Sequence, residues 1–133
     1  MSDYTPVNAD ATMITLTAGA TITGGLLVSV TTAGDTVVHS TTNVGRPVGV
    51  AAHDAPSGGR VSVYLLPGFL HELPVETVIT LNPGDGVIAT TVTTTPGRVA
   101  SVAFTTTNLS VFGVCVRGTV GTAAGAKARV LGL

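Results

Sequence analysis

The sequence predicts an all-β protein, a small barrel or sandwich of about ten short strands preceded by an extended N-terminal arm. Three observations lead there. Thr and Val dominate, with 23 and 21 copies in 133 residues, and β-branched side chains are stiff at χ1 and pack well on a pleated surface. Short apolar runs recur between turns rich in Gly, Pro and Asp, the spacing of a sandwich or barrel. No segment keeps helical period over the ~12 residues that a stable helix needs. The one helix-like piece, "GTAAGAKARVLG", is interrupted by Gly121 and Gly125.

The elements follow in order. Residues 1–20, "MSDYTPVNADATMITLTAGA", begin polar, carry Pro6, and alternate only over Met13–Thr17, so they read as an arm. Residues 21–133 read as a single β-domain, in keeping with a chain of this length. After Gly24-Gly25, Leu26, Val28 and Val30 alternate with Leu27, Ser29 and Thr31. "TAGD" turns into Thr36–Ser40, and Pro47–Ala52 is a continuous apolar run suited to a strand buried on both faces. "HDAPSGG" is a turn in which Asp54 and Ser57 can bond nearby backbone. Val61, Val63 and Leu65 share one face of the next strand, which "PG" ends. Further strands are expected at Phe69–Leu73, Thr77–Leu81, Gly86–Thr91, Arg98–Phe104, Ser110–Arg117 and Ala126–Leu131.

A weak internal repeat runs through this pattern, over about 32–63 and 82–131. "TAGDTVVHST" (Thr32–Thr41) aligns with "NPGDGVIATT" (Asn82–Thr91), and the Gly45-Arg46 pair with Gly97-Arg98. "VGVA" (Val48–Ala51) then aligns with "FGVC" (Phe112–Cys115), and "APSGGRVSV" (Ala55–Val63) with "AAGAKARVL" (Ala123–Leu131). Two similar β-units packed together would produce this order.

Composition narrows the function. Only 10% of the residues are charged, against about 25% in soluble domains, and Lys127 is the sole lysine. A surface so poor in charge suits burial against partner subunits, with Thr and Ser solvating an outer face as the competing explanation. A net charge of −1 and the lack of an aromatic stacking platform argue against nucleic acid and anionic membrane. No apolar stretch approaches the ~20 residues of a membrane helix. The N-terminus has no basic and apolar regions of a signal peptide, so synthesis in a cytoplasm is expected.

Catalytic and metal-binding patterns are weak. His53-Asp54 and His71-Glu72 could in principle meet around a metal across a hairpin. Successive strand residues point to opposite faces, however, so His71 and Glu72 do not ligate one ion together. The sequence has no G-x-S-x-G elbow and no phosphate-binding glycine loop leading into a helix. Asp54, Glu72 and Glu76 are scattered acids rather than a designed pair. Cys115, alone in "VFGVCVRG", reads as a small buried hydrophobe. No enzyme activity, catalytic residue, cofactor or metal is expected. Arg46, Arg60, Arg98, Asp54 and Asp85 are candidates for contacts between subunits, because charges are so rare here. Their alternative role is a solvated strand-end charge worth under about 1 kcal/mol.

"TAGDTVVHSTTNVGRPVGVAAHDAPSGGRVSVYLLPGFLHELP", "LNPGDGVIATT" and the terminal "AKARVLGL" resemble the small capsid decoration (cement) proteins of tailed bacteriophages. The matching positions are Gly34-Asp35, Val48–Ala51, Ala55–Gly59, Gly68–Pro74 and Gly84-Asp85, within residues 20–133. The aromatic residue that such proteins often carry after the second Gly-Asp is replaced by Ile88 and Ala89. The resemblance implies a barrel or β-tulip on the outer surface of the expanded head. It also implies a homotrimer bound to the major capsid protein, with an arm ordered against the shell. Tyr4, Val7, Met13, Ile14 and Leu16 are the apolar anchors that such an arm would use, since ordering a residue costs about 1–2 kcal/mol. A tail or fibre component is the runner-up, and a carbohydrate-binding module is disfavoured by the absence of Trp.

Overall fold

The computed structural model describes residues 3–8, 10–41, 44, 46–76, 81–102, 111–118 and 126–133. Among these are ten strands and no helix: β1 (Met13–Ala18), β2 (Leu27–Val30), β3 (Thr36–His39), β4 (Pro47–Ala51), β5 (Arg60–Leu65), β6 (Leu70–Pro74), β7 (Gly86–Ala89), β8 (Val99–Val102), β9 (Gly113–Arg117) and β10 (Lys127–Gly132). The first five close into a barrel in the order β1-β3-β2-β4-β5, and the last five form a sheet in the order β6-β10-β9-β7-β8.

The second sheet repeats the first, strand for strand. β6 stands where β1 stands, followed by β7 for β2, β8 for β3, β9 for β4 and β10 for β5. The parallel pairing of the barrel, Thr17 beside Thr36 and Ala18 beside Val37, recurs in part as a parallel bridge from Val75 to Val99 that curls the second sheet towards closure. The antiparallel registers correspond too. Val28 faces Gly49 as Val87 faces Gly113, and Ile14 faces Val63 as His71 faces Val130.

Turn hydrogen bonds match in the same frame. Gly25 N–H donates to Ala51 O and Gly84 N–H to Cys115 O, both at 2.8 Å. Leu66 N–H reaches Val48 O at 3.2 Å, and Leu133 N–H reaches Phe112 O at 2.9 Å. Gly25 and Gly84 both adopt positive φ, 85° and 92°, where a side chain would be strained.

The sequence alignment found only part of this frame. Val48–Ala51 against Phe112–Cys115 is the structural pairing of β4 with β9. Ala55–Val63 against Ala123–Leu131 joins the right strands one residue out of register. Thr32–Thr41 against Asn82–Thr91 sets β3 beside β7, whereas β7 corresponds to β2. The two Gly-Asp turns led that match astray, because Asp35 precedes the third strand of its unit and Asp85 the second of its own. The units also begin earlier than the alignment did, at β1 and β6.

Two apolar clusters hold the molecule together. Ala18, Ile22, Val28, Val37, Ala51, Ala55, Val61 and Val63 fill the barrel. Leu27, Val50 and Leu66 point out of it and pack with Leu73, Val75, Leu81, Val87, Val99, Phe112, Cys115 and Val130 of the second unit. β4 therefore buries Val50 on one face and Ala51 on the other, as its continuous apolar run anticipates. Each fully buried Val or Leu contributes about 1.5–3 kcal/mol, so the two units share most of one core.

The arm assigned to residues 1–20 needs correction. Met13–Ala18 is a barrel strand, paired with β5 from Met13–Tyr64 to Thr17–Arg60, and Tyr4 is only 9% exposed within the shared core. A polar start and a proline look like a tail in sequence, but alternate apolar residues let the segment join a sheet. Of the expected strand Thr77–Leu81, only Leu81 is among the described residues.

Candidate functional site

Tyr4, Val7 and Asn8, ahead of β1, lie along β6 as a cover. Val7 N–H donates to Leu70 O at 3.1 Å, and Leu70 N–H donates to Asn8 Oδ1 at 2.6 Å. Tyr4 O–H donates to His71 Nδ1 at 2.9 Å, while Glu72 N–H donates to the same phenolic oxygen at 3.2 Å. The Tyr4 ring stacks on His71 with centroids 5.9 Å apart and 20° between planes, and meets Tyr64 edge-on at 6.1 Å. Burial pushes the Tyr4 hydroxyl well above its ordinary pKa. His71 donates from Nε2 to Leu65 O at 3.0 Å, and burial holds its pKa below the usual value. The imidazole is therefore neutral, with both nitrogens used.

The other histidines follow the same pattern. His39 accepts from Thr23 N–H at Nε2, 2.9 Å, and donates from Nδ1 to Leu27 O at 3.3 Å; burial lowers its pKa. His53 accepts from Ser62 N–H at Nε2, 3.3 Å, and donates from Nδ1 to Asp54 O at 2.9 Å. Among the described residues no three His, Cys, Asp or Glu side chains converge as metal ligands. Cys115 is buried as a free thiol, and burial raises its pKa. The ring nitrogens of all three histidines are engaged in structural hydrogen bonds.

The residues expected between subunits lie in several places. Arg46 donates from Nη2 to Val111 O at 2.9 Å, tying one unit to the other. Arg60 donates from Nη1 to Thr17 Oγ1 at 3.3 Å. Asp54 Oδ1 accepts from Gly24 N–H at 2.9 Å, and Asp85 Oδ2 from Asn82 N–H at 2.9 Å, so both fasten turns. Arg98 is half-buried immediately before β8. An ion pair joins Arg129 Nε to Glu72 Oε1 at 3.2 Å, a pairing of β10 with β6 that sequence reasoning missed.

Of the five expected anchors, Val7, Met13 and Ile14 are exposed at 40%, 50% and 38%. Leu16 packs on the barrel cluster, and Tyr4 is in the core. A second apolar feature lies where the units meet. It is a cleft of about 320 Å³ lined by Pro47, Val48, Leu65, Leu66, Pro67, Phe112 and Leu133, with Arg46 at its wall. Val48 and Phe112 hold equivalent positions in the two units, as do Leu66 and Leu133, so the cleft is a product of the duplication. Nothing in the sequence signals it, since its walls come from four separate segments.

No protein-family model matches the sequence, and no curated protein does. Among solved structures, the chain is similar to the N base of the head fiber protein gp8.5 of bacteriophage phi29. The TM-score is 0.66 at 18% identity, over 92% of this chain and 93% of that one. At that identity the likeness is one of fold, and it runs through both five-stranded units rather than one.

Proposed function

We propose that the chain is a non-catalytic structural protein of a bacteriophage virion that seats on the outer surface of the head. The observation that carries this reading is the fold likeness to a head fiber base over nearly the whole of both chains. The decoration-protein motifs of the sequence point the same way, as does a surface with few charges. In its fuller form the protein binds the major capsid protein as a homotrimer and reinforces the expanded shell. Val7, Met13 and Ile14 have the exposure that a protein contact needs; Tyr4 and Leu16 do not. Many weak contacts on a repeating lattice would together give firm attachment.

A second reading, the base of a head fibre, is favoured by the structural neighbour, which is itself a head fiber base. Co-sedimentation with expanded heads that lack the protein separates the two by copies bound at saturation. A decoration protein occupies every lattice site of its class, and a fibre base occupies a small subset. No binding to heads would overturn both readings.

A further inference from the structure

The duplication makes the molecule its own control. The strand edge that β6 turns away from β10 is occupied by Tyr4, Val7 and Asn8 through bonds to Leu70 and Glu72. In the barrel the equivalent edge belongs to β1, with Met13 in the place of Leu70, Ile14 of His71 and Thr15 of Glu72. Thr12 O and Ala18 N–H bond towards β5, whereas Thr17 N–H bonds to Asp35 O on the opposite side. Backbone groups alternate along a strand, so the N–H and C=O of Met13 and Thr15 also point away from β5. β3 reaches β1 only at Thr17 and Ala18. Among the described residues nothing pairs with Met13 or Thr15 on that side, which leaves an open edge, and Met13 and Ile14 are the exposed apolar residues beside it.

We infer that this edge pairs with the same edge of a second copy, antiparallel about a two-fold axis through Ile14. Three observations select that occupant. The first is self-complementarity. Met13 facing Thr15 of the other copy exchanges both backbone bonds, and the symmetric pair does the same, giving an isologous contact. The second is the side chain on the axis. His71 is shielded by Tyr4, while Ile14, on the barrel face of Val63, remains 38% exposed with no such ring over it among the described residues. In a non-hydrogen-bonded pair the two Ile14 side chains touch and cover each other. The third is the lack of charge or proline along this edge. Proteins protect open edges with charges, prolines or bulges. β6 contains Glu72 and Pro74, but no charged residue stands between Asp10 and Asp35 and no proline between Pro6 and Pro47. The chain's own extended segment is already engaged on β6, so it does not fill this edge.

The contact is short, so association is weak in free solution and gains strength wherever many copies are held side by side. It does not depend on the seat on a phage head. It assigns Met13 and Ile14 to contacts between copies and leaves Val7 for another surface.

Sedimentation equilibrium of the full chain tests it. The wild type is expected to show a concentration-dependent species of twice the mass of the unit that associates, be that unit a monomer or the trimer of the proposed function. Thr15→Pro removes an outward N–H that the barrel does not use, a position where an edge strand tolerates proline, and should halve the mass of that species. Ile14→Lys, which sets two cations on the axis, should do the same while retaining the far-ultraviolet spectrum of a β-protein. Amide exchange at Met13 and Thr15 in the wild type should slow as concentration rises. A wild type that stays monomeric across a wide concentration range would overturn the inference. So would a species, trimer included, whose mass neither variant changes, or Met13 and Thr15 amides whose exchange ignores concentration.

Discussion

Replacing Tyr4 by Phe removes one hydroxyl and tests whether the N-terminal residues belong to the fold. That hydroxyl donates to His71 Nδ1 at 2.9 Å and accepts from Glu72 N–H at 3.2 Å. The ring stays, so stacking on His71 and burial against Tyr64 are kept, and the loss is confined to two hydrogen bonds. Each partner left unsatisfied in a buried site costs about 1–3 kcal/mol. His71 is fully buried and bears the larger share, while the half-buried Glu72 amide can recover part of its loss from water. A total of about 2–3 kcal/mol follows, a sizeable part of the ~5–15 kcal/mol that holds a domain of this kind together. With a urea slope of about 1–3 kcal/mol/M, the unfolding midpoint should fall by roughly 1 M. Tyr4→Ala, which also gives up the ring, should cost about 3–5 kcal/mol. If both variants unfold within about 0.5 kcal/mol of wild type, the segment does not lie on β6 in solution and the arm expected from the sequence is restored.

Removing residues 1–17 should yield insoluble or unfolded protein, read by circular dichroism, because it takes away most of β1 as well as the cover on β6. Acidification should destabilise the protein: burial holds His39 and His71 below the ordinary pKa, so the unfolded chain binds the extra protons. The associated stability is complete above about pH 6.5 and declines as pH falls below it towards the folded values. Denaturation at a series of pH values checks this, and His71→Gln should flatten the slope while lowering the starting stability. Gly49→Ala and Gly113→Ala should each destabilise by about 1–3 kcal/mol in thermal or urea unfolding, since a Cβ would lie 2.4 Å from Tyr64 O and 2.6 Å from Val130 Cγ1 respectively. The Cys115 thiol should resist a thiol reagent in the native protein and react at the rate of opening, because it is buried and its pKa is raised.

The fold class was legible because it depends on short-range features. Turn glycines and alternating valines report strands wherever they occur, and β4 could be recognised as buried on both faces from "PVGVA" alone. The duplication was only half legible. Its equivalences rest on backbone contacts such as Gly25 with Ala51 and Gly84 with Cys115, and the intervening side chains have diverged. Ile14 against His71 and Thr15 against Glu72 leave no residue signal to align. The Gly-Asp turns, the strongest local match, serve different strands in the two units and pulled the alignment off by one. The cover on β6 could not be read at all. Tyr4 and His71 are far apart in the chain, and a lone tyrosine before Thr5-Pro6 looks like a tail residue until its hydroxyl is seen to satisfy two buried partners.

What differs between the two units says more about use than what they share. Both bury the same kind of valine cluster and place a glycine where the neighbouring strand comes closest, so packing imposed those features twice. The edges of β1 and β6 share one geometry and differ in their fittings. β6 carries a charged residue that pairs with Arg129, a terminal proline and a covering segment from its own chain. β1 has an uncharged run, "MITLT", with no cover among the described residues. An open edge of this kind favours uncontrolled association, and its persistence beside a protected twin is understandable if a partner normally closes it. On the proposed reading, copies held side by side on a shell would make effective an edge that pairs weakly in dilute solution.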